Sequence, residues 1–363
     1  MIRQLTTALV LCAAPVTAQT VQTSVGNLTI TPVVTDLDTP WAFGFLPGGG
    51  LLITERDGVL LHIAADGTRR EVDGLPKIRT DGQGGLLDLL VPRDFAQTRL
   101  IFMAYAKPAM LGRSGTAVMR ARLSEDGARL SDVETIFSIA APTGSGHHFG
   151  SRLVEAPNGD LFVTVGDRGD RPSAQDTSNH NGSVLRITRD GAAAPGNPDL
   201  GPDAQPEIWS YGHRNPQGAA LDLAGQLWVN EHGARGGDEV NRIEKGANYG
   251  WPVIAYGRHY SGAKIGEGTA KKGMQQPQHY WDPSIAPSGM MFYSGALWPE
   301  WRGDAFVGSL KFDYIARLDG APLTEVEQIS AEETARVRDI REGPGGAIWF
   351  LSVGEGTLYR MTP

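Results

Sequence analysis

The chain has one cysteine, Cys12, in 363 residues. That excludes a disulfide framework and any metal centre built on several thiolates. Helical periodicity is nearly absent: apolar residues do not recur at three- and four-residue spacing over any long stretch. No apolar run reaches the roughly 20 residues that a membrane span needs. Basic residues are the minority, 33 Lys and Arg against 41 Asp and Glu, and the formal net charge is −8. That balance argues against nucleic acid and anionic membranes as partners. It also makes any basic cluster in this chain a feature that calls for a reason. Any metal must rest on oxygen ligands or histidine.

What the chain does have begins at its N-terminus. Met1-Ile2-Arg3, an apolar stretch from Ala8 to Ala14, and Val16-Thr17-Ala18 read as a secretory signal peptide over residues 1–18, cut after Ala18. This predicts a periplasmic or secreted protein, with residues 19–363 as a single mature domain. Pro15 weighs against a buried N-terminal helix. The 47 glycines and 23 prolines fall between short apolar runs, the rhythm of an all-β fold. A turn followed by a short strand recurs at Pro47–Thr54, Pro92–Met103, Pro157–Thr164, Ala224–Val229, Arg302–Val307 and Pro344–Phe350. Six such units, spaced by roughly 40–80 residues, suggest a β-propeller with radial blades, with a β-sandwich pair as the alternative. The longest gaps place insertions around 191–206 and 255–285, which would project from one face and shape a cleft between strands.

The most informative stretch is Gly146–Asp170. It sets His147-His148 before one strand and Asp167 after the next, with Asn158-Gly159 as the hairpin turn between them. A hairpin of that length brings His148 and Asp167 to one end of a sheet, the make-up of an oriented general base. The bland alternative is a histidine hydrogen-bonded in a turn. Arg214, in Tyr211–Gly218, offers a fork of donors for carbonyl or carboxylate oxygens, or else ties two loops together. Glu231–Glu239 is rich in glycine and acid. Its glycines would let backbone carbonyls approach a hard cation, with Asp238 and Glu239 supplying charge, so Ca²⁺ is favoured there over a solvated turn. Lys311 follows an apolar strand. Arg336 and Arg338 are two apart and on a strand would share a face. In an acidic chain these three point to a poly-anionic small ligand, the alternative being surface ion pairs. Gln83 adds a polar group in the turn Asp81–Gly85.

Taken together, Gly146–Arg152, Val165–Gly169, Trp209–Gly212, Arg214–Gly218, Asn230–Asn241 and Asn248–Pro252 resemble the soluble quinoprotein aldose sugar dehydrogenases, which use pyrroloquinoline quinone (PQQ). The resemblance runs from Thr39-Pro40-Trp41 to Leu358-Tyr359-Arg360. It implies a six-bladed propeller with PQQ and Ca²⁺ in a cleft on one face. By position, His148 matches the family's base and Asp167 the carboxylate that orients it. Arg214 and Asn215 match the neighbours of the cofactor's reactive carbonyl. Lys311, Arg336 and Arg338 match the basic residues around its carboxylates, and Gln83 a pocket residue. The carbonyls of Gly233 and Ala234 match the ligands of the cofactor-bound Ca²⁺. Glu239 and the Tyr249 carbonyl match a second, structural Ca²⁺ site, with Asp238 nearby. His147 stands where some relatives carry an acid, and Ala234 where some carry proline. The implied reaction is oxidation of an aldose at C1 to the lactone, with hydride passing to PQQ and electrons to an external acceptor. Two readings compete: a Ca²⁺-dependent propeller lactonase, and a non-catalytic propeller that binds sugars or proteins.

Overall fold

A computed structural model of the chain describes residues 18–363. The expected leader, with Cys12, lies outside the described residues except for Ala18. Six sheets are arranged radially. Blade 1 is Pro40–Phe45, Leu51–Glu55, Val59–Ile63 and Arg69–Glu71. Blade 2 is Leu86–Leu90, Leu100–Pro108, Ser114–Leu123 and Leu130–Ser138. Blade 3 is Leu153–Glu155, Leu161–Val165, Ser183–Ile187 and Ile208–Tyr211. Blade 4 is Pro216–Leu221, Leu227–Glu231, Asp238–Arg242 and His279–Trp281. Blade 5 is Pro287–Phe292, Ala305–Ser309, Ile315–Asp319 and Thr324–Ile329. Blade 6 takes Val337–Glu342, Ile348–Ser352 and Thr357–Thr362 from the C-terminus and Gly26–Val34 and Gln19–Thr23 from the N-terminus.

Each of the six turn-plus-strand units read from the sequence is the turn between the first and second strands of one blade, with the strand that follows. The first strands neighbour one another around a closed ring, so the fold is the expected six-bladed propeller. Ring closure is antiparallel, Thr29 opposite Thr362 and Val34 opposite Leu358. The core lies between blades rather than at the axis. Leu52, Met103 and Leu86 pack between blades 1 and 2, and equivalent apolar clusters fill the other blade junctions. Alternating strands drive this, because each blade must bury both faces.

The axis of the propeller carries charge. Arg152 bonds Asp88 and Asp339 at 3.0 and 2.9 Å, and Arg341 bonds the same two at 2.8 and 2.9 Å. These four come from the first strands of blades 2 and 6 and from the residue just before blade 3. Asp88 also accepts the Leu153 amide at 2.7 Å, so the cluster ties three blades together. Among the described residues no helix is long and apolar enough to cross a membrane.

The insertion expected at 255–285 is displaced. Residues 243–278 form it, and His279–Trp281 returns as the fourth strand of blade 4. The apolar residues of that strand carry too short a signal to separate it from the loop. The insertion seals itself with a small core of Ala174, Ala234, Trp251 and Ile265.

Candidate functional site

Propeller connectivity gathers the site. Connections from the second to the third strand, and from one blade to the next, open on the same face. Gln83, His148, Asn215 and Arg336 lie on inter-blade connections, and Asp167, Gly233 and Lys311 on connections within blades. Residues far apart in sequence thus line one cleft.

The hairpin expected within Gly146–Asp170 forms, with Leu153 opposite Val163. His148 sits just before it with φ +54, a conformation that non-glycine residues seldom adopt. Two contacts hold it there. Its amide donates to Gln83 Oε1 at 2.8 Å. Gly166 lets the backbones close up, since a Cβ there would stand 2.3 Å from the His148 carbonyl oxygen. The imidazole Nδ1–H donates to Asp167 Oδ1 at 2.6 Å, which leaves Nε2 for the cleft. Burial pushes the imidazole below its usual range. The Asp167 hydrogen bond offsets part of this, and the Arg214 cation adds to it, so the ring is neutral at pH 7. For Asp167, burial alone would raise the carboxyl. Hydrogen bonds from His148, from the Gly169 amide (2.7 Å) and from Trp251 Nε1 (2.8 Å) outweigh that and hold it low.

Trp251 was not singled out in the sequence. Its indole N–H fixes Asp167, and its ring lies 5.4 Å beneath the Arg214 guanidinium. The only sequence signal was its place in Asn248–Pro252. Arg214 is buried, with Nε unpartnered and one terminal nitrogen donating to the His232 carbonyl at 3.1 Å. Its amide donates to Glu231 Oε2 at 2.6 Å. Asn215 Oδ1 accepts from Gln217 Nε2 at 3.1 Å, and Asn215 lines a neighbouring cavity.

That cavity, of about 550 Å³, is bordered by Trp41, Arg56, Asn215, Lys311, Arg336 and Arg338 among others. The three expected cations do converge, but not by strand alternation. The strand begins at Val337, and Arg336 precedes it with φ +52. The Asp313 carboxylate, accepting the Arg336 amide at 2.8 Å, holds this bend. Burial, then the cations of Arg152, Arg336 and Arg56, push the Arg338 guanidinium well below its usual value. Arg338 donates to Gln217 Oε1 at 3.0 Å and Arg336 to the Leu310 carbonyl at 2.9 Å. No carboxylate pairs with either side chain among the described residues.

Gly233–Glu239 lies beside this cavity. A Cβ on Gly233 would fall 2.2 and 2.4 Å from the Gly236 and Gly237 carbonyl oxygens, so glycine is required for the backbone to crowd here. Asp238 shapes that loop, accepting from the Gly233 and Ala286 amides at 2.8 and 2.9 Å and from Ser284 Oγ at 2.7 Å. Glu239 stands directly opposite Glu231 on the neighbouring strand. Burial, then Glu231 and Asp238, push its carboxyl up to about 8. A cation would relieve this. Glu239, Ala234, Gly233 and Tyr249 border one small cavity together. Among the described residues, no three His, Cys, Asp or Glu side chains converge as a metal cluster. A cation here would therefore need backbone carbonyls among its ligands.

Comparison with known proteins places these features in a family. Residues 37–360 match the family described as Glucose / Sorbosone dehydrogenase. The chain is 42% identical over 336 residues to Aldose sugar dehydrogenase YliI of Escherichia coli (strain K12), covering 90% of this chain and 91% of that protein. It superimposes on the apo-form of the soluble aldose sugar dehydrogenase from Escherichia coli with a TM-score of 0.89, at 40% identity over 93% of this chain and 99% of that one. The PQQ-bound form of the aldose sugar dehydrogenase from Streptomyces coelicolor matches with a TM-score of 0.76, at 25% identity over 96% and 100% of the two chains.

Proposed function

The chain belongs to the glucose/sorbosone dehydrogenase family of oxidoreductases, and from that premise we propose that it oxidises aldoses at C1 to lactones using PQQ and Ca²⁺. The observation that carries this reading is a cavity lined by unpaired cations beside a neutral, carboxylate-oriented imidazole.

The residues fit the cofactor. Among the described residues no carboxylate forms an ion pair with Lys311, Arg336 or Arg338, and these three would hold its carboxylates. Gln83 and Asn215 border the same cavity. Arg214, with a buried unpartnered Nε, would face its carbonyl oxygens. The carbonyls of Gly233 and Ala234 would hold Ca²⁺ beside it. Glu239 and the Tyr249 carbonyl would hold a second, structural Ca²⁺, with Asp238 ordering the loop between. When bound, PQQ and its Ca²⁺ supply an electrophilic carbon that accepts a hydride.

The chain's own part is proton transfer and positioning. His148 Nε2 takes the proton of the C1 hydroxyl as the C1–H bond gives up hydride, and a C1=O bond forms. Asp167 keeps Nδ1 protonated and stabilises the imidazolium that results. Trp251 holds Asp167 in place. Arg214 offsets negative charge that develops nearby. The electrons then pass to an external acceptor. We place the mature protein, residues 19–363, as one catalytic unit in the periplasm or outside the cell after removal of the leader.

His148→Ala tests the assignment. Turnover should fall about 10²–10⁴-fold, the range for loss of a general base, while PQQ still binds. Near-normal turnover in that variant would remove His148 from the mechanism.

A further inference from the structure

The blade 4 insertion carries a feature that the proton-transfer chemistry does not use. Arg258 and Lys264 pair across a short hairpin, in which His259 N donates to the Ala263 carbonyl at 2.9 Å and Gly262 N to the His259 carbonyl at 2.8 Å. The hairpin is braced twice. Arg235 and Arg258 exchange backbone hydrogen bonds of 2.9 and 3.0 Å. The Arg171 guanidinium donates to His259 Nδ1 at 2.8 Å. Tyr260 stands at the tip and is 73% exposed. Aromatic rings are ordinarily buried for the apolar surface they remove from water, so one held open on a braced turn calls for a partner.

Its surroundings say what kind. Tyr260 lines a cavity of about 360 Å³ with Gln83, His148, Asp167 and Arg214. It also lines a neighbouring one of about 580 Å³ with Arg235, Asp282 and Lys311. Among the described residues that line the His148 cavity it is the one large aromatic ring. Its other neighbours there, Gln83, His147 and Arg171 among them, offer hydrogen bonds. A sugar ring needs this mixture: its C–H face packs on an aromatic ring while its hydroxyls reach polar groups at the edge.

We propose that Tyr260 is a substrate-contact residue, stacking on the C–H face of the aldose so that C1 comes to His148 Nε2. Gln83, His147 and Arg171 reach the hydroxyls around it. The braced hairpin then sets the height of the ring above His148, and with it which aldoses fit. This rests on the aldose-oxidation reading and names the part of the chain that selects the sugar.

The test is steady-state kinetics on a panel of aldoses at saturating PQQ and Ca²⁺, comparing wild type, Tyr260→Ala and Tyr260→Phe. Loss of one stacking contact should raise KM in Tyr260→Ala by roughly three- to ten-fold. It should leave kcat within about three-fold, because the contact is made before and during the reaction alike. The ranking of aldoses should change, and PQQ affinity by absorbance titration should not. Tyr260→Phe should recover most of the lost affinity, since the ring remains. Wild-type KM for every aldose in Tyr260→Ala would overturn the assignment while leaving the parent reading intact. Absence of aldose turnover in the wild type would overturn both.

Discussion

Two arginines on one strand, Arg338 and Arg341, belong to different worlds. Burial pulls both guanidinium groups down. For Arg341, Asp339 and Asp88 more than restore the charge, and the group ends above its usual value. For Arg338 the neighbours are mostly other cations, and it ends well below. Arg341 faces the propeller axis, where it and Arg152 each meet two carboxylates at 2.8–3.0 Å. Arg338 faces the open cavity beside Lys311 and Arg336. Charges matched within the chain hold the blades together. Charges left unmatched in a cleft cost stability unless a ligand supplies the anion, and so mark where one binds.

The sharpest way to break this comparison is Asp88→Ala. It takes from Arg152 and Arg341 one of the two carboxylates that each meets and leaves the Leu153 amide without its acceptor, and unfolding free energy should fall by about 3–5 kcal/mol in denaturant titrations. A loss under about 1 kcal/mol would mean the axial cluster is no staple, since surface pairs contribute that little. Arg338→Met should behave in the opposite sense. With one fewer cation in a repulsive group, stability of the cofactor-free protein should hold within about 1 kcal/mol. PQQ affinity, read by absorbance titration, should drop roughly ten- to a hundred-fold, the range for a charged hydrogen bond. Lost stability with unchanged PQQ affinity would place Arg338 with the axial set.

The smallest effect is on pH. His148 titrates below the usual 6.5, first through burial, with Asp167 opposing. It is therefore neutral and competent at pH 7, and the rate should fall as pH drops through that lowered value. Protonation in the folded state is disfavoured relative to the unfolded chain, so this group also lowers stability as pH falls below 6.5. Trp251→Phe removes one donor from Asp167. The freed carboxylate should hold imidazolium more strongly, and the acid limb of kcat/KM should move up by less than about one pH unit. An unmoved limb would reduce Trp251 to a packing residue.

What the sequence disclosed was local. The turns at Pro47, Pro92, Pro157, Ala224, Arg302 and Pro344 each begin a strand a few residues on, and all six fall at the same place in a blade. The His148–Asp167 pairing was equally legible, because one hairpin joins them. Contacts across the ring were not. Arg152 meets Asp339 over 187 positions, and Asp88 over 64. No periodicity announces such a pair. Closure of blade 6 by Gly26–Val34 is likewise long-range. Lys311, Arg336 and Arg338 do line one cavity, but strand alternation is not the reason, since Arg336 reaches it from a left-handed bend rather than from a strand. Trp251 and Tyr260 lie on an insertion whose sequence has no strand or helix rhythm, so only their neighbours in space give them a role. The motif-level resemblance to quinoprotein sugar dehydrogenases, by contrast, rested on several ordered segments and agrees with the family to which the chain belongs.

The unmatched cations are the centre of the account, and PQQ titration of the purified protein, followed by aldose-driven dye reduction with and without Ca²⁺, tests them most directly. Saturable binding, with turnover that requires both PQQ and Ca²⁺, is the predicted result. Absence of saturable PQQ binding, or aldose oxidation that proceeds without PQQ, would contradict it.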